Sequence, residues 1–174
     1  MDAQVSELLA HLQSSAFRDV AGARLSARIP IARALVSSVV ARALQGSRAP
    51  VKSVDVRPHE GDQLEAIVTV TWPFVPPLTV GMVVERQPQF PASPQLVLRW
   101  SLLGGLGALA SRFVKALDRL PPGMLLDGDR LVLDIPVLAA GSPAAAVLPY
   151  VKNLQIHTTE GGLVLEADLE VTPP

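Results

Sequence analysis

Three short acid-glycine turns constrain this chain more than any other feature. Glu60-Gly61-Asp62, Asp127-Gly128-Asp129 and Glu160-Gly161-Gly162 each lead, within two residues, to a leucine that opens a run of alternating apolar and polar side chains. Alternation puts one set of side chains on one face of a strand. A connection of two or three residues joins only antiparallel neighbours, because a parallel crossover needs about a dozen residues or more. The three turns are unequally spaced, so they reflect reuse of hairpin chemistry and not an internal repeat.

The same alternation recurs outside the turns. Leu25, Ala27 and Ile29 oppose Arg24, Ser26 and Arg28, which predicts a half-buried strand over 24 to 29. Further strands are expected over 51 to 57, 64 to 72, 78 to 85 and 95 to 102, with Leu64, Ala66, Val68, Val70 and Trp72 on one face of the second of these and Leu96, Leu98, Trp100 and Leu102 on one face of the last. Prolines 73, 76 and 77, and three more between 87 and 94, interrupt the ladder, since proline has no amide hydrogen to give. Segments 124 to 126 and 130 to 135 flank the Asp-Gly-Asp turn. A last pair of strands begins at 153, and its second member alternates Leu163, Leu165, Ala167, Leu169 and Val171 with Glu166, Asp168 and Glu170.

Elsewhere the period is helical. Val5, Leu8, Leu9, Leu12 and Ala16 mark an amphipathic helix over 3 to 16. A second helix is expected from about 30 to 45, with Pro30 in its first turn and Gly46 ending it. Its apolar positions, Ile31, Ala32, Leu35, Val36, Val39, Val40 and Ala43, cover about half the circumference at 100° per residue. A third, from 106 to 120, carries Leu106, Leu109, Ala110, Phe113, Leu117 and Leu120 on one stripe, and a short apolar helix is expected over 143 to 151. The expected fold is one α+β domain spanning 1 to 174: a curved antiparallel sheet with several hairpins, wrapped around one or two apolar helices, with 1 to 20 as a peripheral N-terminal helix.

Composition excludes several functions. Fifteen basic against sixteen acidic residues leave a net charge of −1, without the positive field that nucleic-acid binding requires. No cysteine is present, which removes disulfides, thiolate nucleophiles and cysteine metal sites. The start of the chain has no basic segment leading into an apolar stretch, so a cytoplasmic location is expected. The longest strongly apolar run, 101 to 110, is about half of what a membrane-spanning helix needs, and Gly104, Gly105 and Gly107 interrupt it; no transmembrane segment is expected.

Candidate chemical motifs are weak. Gly105-x-Gly107-x-x-Ala110 opens a helix after a strand, but a dinucleotide turn belongs to a parallel unit, and the acidic residue at the right distance, Asp127, sits in a hairpin turn. Asp127, Asp129 and Asp134 offer carboxylates, yet a hard cation wants roughly six to eight oxygens, and Asp-Gly-Asp is a favoured hairpin sequence in its own right. His11, His59 and His157 share no metal-ligand spacing, and no serine lies in a G-x-S-x-G elbow. No catalytic residue, metal ligand or cofactor is expected, and the chain reads as a non-enzyme.

What remains is aliphatic surface. Hydrophobic residues make up 49% of the chain with aromatics only 4%, more aliphatic lining than a polar surface function would need. Each methylene sheltered from water contributes about 0.8 kcal/mol, so a 16-carbon chain would gain about 13 kcal/mol before ordering costs. The alternative is that these side chains fill one another's space at ordinary core density. The stretches ARLSARIPIARALVSSVVARAL (23 to 44) and LPPGMLLDGDRLVLDIPVLA (120 to 139) resemble those of small bacterial members of the tubular lipid-binding (TULIP) superfamily. That resemblance implies a curved sheet around a long helix with lipid held in the gap. It further implies lipid-facing positions at Val36, Val39, Val40 and Ala43, at Leu106, Leu109, Phe113 and Leu117, and at Met82 and Trp100. The leading expectation is therefore non-enzymatic binding or transport of a lipid or similar hydrophobic small molecule, with room for transient membrane contact. The rival is a protein-interaction or scaffold domain, compatible with a homodimer, suggested by Trp72, Phe74 and the proline-rich loops.

Overall fold

A computed structural model describes residues 22–45, 51–103 and 120–171, with the backbone alone for 43–45. Alternating sequence becomes strand throughout these segments. In chain order they form β1 (Arg24–Ala32), α1 (Arg33–Gln45), β2 (Val51–His59), β3 (Gln63–Val70), β4 (Leu78–Arg86), β5 (Gln95–Leu103), β6 (Met124–Asp127), β7 (Arg130–Asp134), α2 (Ile135–Ala139), two short 3₁₀ turns, β8 (Val151–Thr159) and β9 (Gly162–Glu170).

The strands make two antiparallel sheets. One has six strands in the order β2-β3-β4-β5-β7-β6, and the other has three in the order β1-β9-β8. The three acid-glycine turns close the β2-β3, β6-β7 and β8-β9 hairpins. In the second of these Asp127 pairs with Arg130 across a two-residue loop, and Gly128 takes φ +58°, a left-handed conformation that glycine adopts without steric cost.

The expected α+β architecture, a curved sheet wrapped around one or two apolar helices, is overturned. The described residues are mostly strand in two sheets, and their helices are short. Three local reasons are visible. Residues 30–32 extend β1 instead of opening a helix, because Ile29 and Ile31 continue the alternation opposite Leu165 and Leu163, and Pro30 is tolerated on an edge strand. The 13-residue α1 lies at the surface, with Leu35 54% and Val39 59% exposed, so its apolar arc is not buried on several sides. Segment 143–151 divides into 3₁₀ turns at Pro143–Ala146 and Leu148–Tyr150, each opened by a proline near its start, before β8 begins. A five-residue helix, α2, appears where the sequence pattern had suggested none, capped by the Asp134 carboxylate accepting the Val137 N–H at 3.1 Å. The expected helices over 3 to 16 and 106 to 120 lie outside the described residues, apart from Leu120.

Side chains satisfy the exposed strand edges where the two sheets and α1 meet. Gln87, just past β4, donates its amide to the Ile156 carbonyl at 2.8 Å and accepts the Ile156 N–H at 3.0 Å, so one side chain occupies the β8 edge as a neighbouring strand would. The Asp62 carboxylate, in the β2-β3 turn, accepts the next outward amide, Thr158 N–H, at 3.2 Å. On β2, the Ser37 hydroxyl of α1 accepts the Val56 N–H at 3.0 Å. Pro58 lies two residues on, with its nitrogen on that same outer side, so its missing N–H removes no ladder bond.

The outward faces carry charge pairs. On the small sheet Arg24 pairs with Glu170 and Arg28 with Glu166 across β1 and β9, and Ser26 donates to Asp168 at 2.6 Å. Glu85 bridges Arg99 and Arg130 on the large sheet, and Arg33 holds Asp55. These hydrogen bonds lower three carboxylate pKa values: Asp55 chiefly through Arg33, Glu85 chiefly through Arg130, and Asp168 chiefly through Ser26.

Two outcomes follow from this arrangement. Gln87→Leu, which leaves both Ile156 backbone groups without a partner, lowers the unfolding free energy by about 2 kcal/mol in urea titrations and accelerates amide exchange at Ile156. A carboxylate whose folded pKa is depressed contributes stability that is complete above its unfolded value and lost as pH falls through the folded one. Urea midpoints therefore hold steady at neutral pH and decline below the ordinary values of 3.8 for aspartate and 4.5 for glutamate, and Arg33→Ala and Arg130→Ala make the decline shallower.

Candidate functional site

The strand faces that point away from the charge pairs meet around a cavity of about 300 Å³, partly open to solvent. Each element contributes alternate residues, as strand geometry requires. Val54 and Val56 come from β2, Leu64, Ala66 and Val68 from β3, and Val80, Met82 and Val84 from β4. Leu96, Leu98 and Trp100 come from β5, with Met124 and Leu126 from β6 and Leu131 and Leu133 from β7. The small sheet supplies Ile156 and Thr158 from β8 and Leu163 and Leu165 from β9, and α1 supplies Val36 and Val40. No polar atom of the described residues is exposed to the cavity.

One end of this interior is packed. Ala66, Val68, Val70, Leu78 and Val80 form a buried cluster, flanked by Trp72, Val75 and Leu102. Leu78, 1% exposed, is the only large side chain among the described residues that is completely sealed. Towards the cavity Leu96 and Leu98 are buried, but Leu64, Met82, Trp100, Leu126, Leu131 and Leu165 are only half-buried. They line space instead of filling it.

Of the ten positions expected to face a ligand, Val36, Val40, Met82 and Trp100 line the cavity together. Val39 sits on the solvent side of α1. Leu106, Leu109, Phe113, Leu117 and the Ala43 side chain lie outside the described residues. Sequence reading missed the contributions of β2, β3, β6, β7, β8 and β9, although in most of those strands the alternation identifies the same apolar residues as one face. Assigning that face to a shared cavity requires knowing that two separate sheets meet.

Two polar atoms in the cavity-lining residues have no hydrogen-bond partner: Trp100 Nε1 and Thr158 Oγ1, both shielded from water. Thr158 is 6% exposed, and its backbone amide is satisfied by Asp62 while its hydroxyl is not. Nothing else among the described residues at the cavity offers polar chemistry. The Arg-carboxylate pairs all lie on outward faces, and among the described residues no group of three or more histidine, aspartate and glutamate side chains is placed to hold a metal ion. No helix among them is long and apolar enough to cross a membrane.

Compared with known protein families, with curated proteins and with solved structures, the chain matches none.

An unpartnered buried hydroxyl costs folding free energy that an isosteric methyl does not. Thr158→Val accordingly raises the unfolding free energy of the unliganded protein by about 1 kcal/mol in urea titrations, with the backbone bond to Asp62 retained.

Proposed function

We propose that this protein binds a lipid or another long apolar molecule, without chemical transformation, in the cavity between the two sheets and α1. The observation that carries the reading is the half-burial of large aliphatic side chains around about 300 Å³ of space whose exposed wall, among the described residues, is wholly apolar. That volume lies at the lower end of the range of small-molecule pockets, roughly 300 to 1,000 Å³. Burial of methylenes supplies affinity without any charged contact, at about 0.8 kcal/mol each. Carriage or sensing fits such a wall better than catalysis does, since acid-base or nucleophilic chemistry needs titrating groups aimed at the substrate. Kinship with the tubular lipid-binding superfamily belongs to the same proposal, resting on the apolar walls and not on a wrapped helix. So does the cytoplasmic location.

A second reading, a protein-interaction surface, is favoured by Phe74. Its side chain is fully exposed, at 104%, and its backbone is held at φ +64° in the loop between β3 and β4.

Displacement of the apolar fluorophore N-phenyl-1-naphthylamine by 1-hexadecanol tests the cavity. The wild-type protein binds both. Ala66→Phe and Val36→Trp, which project bulk into the space, weaken the two by about tenfold or more with an unchanged circular dichroism spectrum. Undiminished binding by both folded variants overturns the cavity reading. Phe74→Ser leaves binding intact and, on the second reading alone, abolishes self-association in sedimentation.

A further inference from the structure

The hydroxyl of Thr158 is an unusual component of this wall. Its neighbours on the same face are Ile156, Leu163 and Leu165, and valine would occupy the same volume without burying a hydroxyl. In the ladder Thr158 stands opposite Leu163, so the position requires only a β-branched shape, which valine has. Among the described residues the cavity meets only carbon, so the part of Thr158 facing it is apolar, and Oγ1 lies in the wall behind that surface. A χ1 rotation of about 120° that carries Oγ1 into the place of the methyl, and the methyl into that of Hβ, turns Oγ1 towards the cavity. An ordered water is a poor partner there, because it wants about two to four polar neighbours and the described residues expose none to the cavity. Trp100 Nε1 is the second unpartnered group, and an indole nitrogen only donates, so what satisfies it is an acceptor oxygen.

Charge restricts the occupant further. No lysine, arginine or histidine lines the cavity among the described residues. The ionised group nearest Thr158 in the hydrogen-bond pattern is the Asp62 carboxylate, 3.2 Å from its amide nitrogen and 3.5 Å from His157 Nδ1. Arg33 and Arg57 are engaged with Asp55, and Arg99 and Arg130 with Glu85. A ligand carboxylate brought to Thr158 would lose its water, find no cation and face a like charge.

Building on the cavity reading, we propose that the occupant is an uncharged long-chain molecule carrying an oxygen, of the alcohol, ketone or ester class, and that Thr158 hydrogen-bonds that oxygen inside the wall. An ionised fatty acid keeps its carboxylate in the solvent at the open side and makes no use of Thr158.

The experiment compares three probes of equal chain length, hexadecane, 1-hexadecanol and palmitate at pH 8, on the wild type, Thr158→Val and Thr158→Ser, each by displacement of the same fluorophore. Thr158→Val is expected to weaken 1-hexadecanol by about five- to tenfold and to leave hexadecane and palmitate unchanged. Thr158→Ser, which keeps the hydroxyl, retains wild-type discrimination between the alcohol and the alkane. Undiminished hexadecane binding shows that the variants keep their fold and cavity. The proposal is overturned if Thr158→Val leaves 1-hexadecanol unaffected, or if it weakens palmitate as much as the alcohol. If none of the three probes displaces the fluorophore from the wild type, the cavity reading itself fails.

Discussion

A sheet edge is a row of backbone donors and acceptors that must find partners, and the way this protein satisfies its edges determines the rest of the structure. A single closed barrel would pair every strand with another strand. Here the six-stranded and three-stranded sheets stay separate, joined by side-chain bonds and, at the β8-β9 turn, by a long backbone bond from Gly161 N–H to the Pro58 carbonyl at 3.5 Å. Gln87 makes two bonds to the β8 backbone at Ile156, and Asp62 makes a third at Thr158. The small sheet can then turn its apolar face towards the inner face of the large one without merging into it. Ser37 does the corresponding work on the far side, joining α1 to the β2 edge.

That separation explains which parts were legible in the sequence. Strand positions were, because period-two alternation is the direct imprint of one polar and one apolar face, although on β1 the apolar face expected to be half-buried stays open, with Leu25 60% and Ile29 51% exposed. The charges opposite those apolar faces were legible too: Arg24 and Arg28 on β1 meet Glu170 and Glu166 on β9. The third turn was legible as a turn, but the demand on its last residue comes from a distant strand. Its last glycine, Gly162, is required because a Cβ there would lie 2.7 Å from the Ile31 carbonyl oxygen. The edge bonds were not legible. Gln87 and Ile156 are 69 residues apart and Asp62 and Thr158 are 96 apart, and a single glutamine or aspartate in a turn carries no local sign of a distant strand.

The helical reading erred for a related reason. An apolar arc at 100° per residue records that side chains avoid water, not what they avoid it with. In α1 the arc is divided: Val36 and Val40 face the cavity, Ser37 sits between them to bond the β2 edge, and Leu35 and Val39 remain outside. The sequence shows Ser37 as a polar interruption beside the apolar stripe. Its role emerges only when the edge it satisfies is known. Pro30 was equally ambiguous, since the first turn of a helix and an edge strand both tolerate a missing amide hydrogen.

The same edge solution bears on why the interior is lined and not filled. Dense packing requires facing side chains to interdigitate, and interdigitation requires the two layers to approach to about 10 Å. Near Leu78 neighbouring strands and the loop residues Trp72 and Val75 close over the sheet, and the cluster there is sealed. At the Gln87–Ile156 and Asp62–Thr158 bridges the sheets are joined through side chains, and on the facing walls Leu64, Met82, Trp100 and Leu165 stay half-buried. An apolar space of this kind leaves its walls without the dispersion contacts that a filled interior supplies. On the proposed function, a molecule filling the space recovers those contacts, and binding and folding become coupled through the same wall.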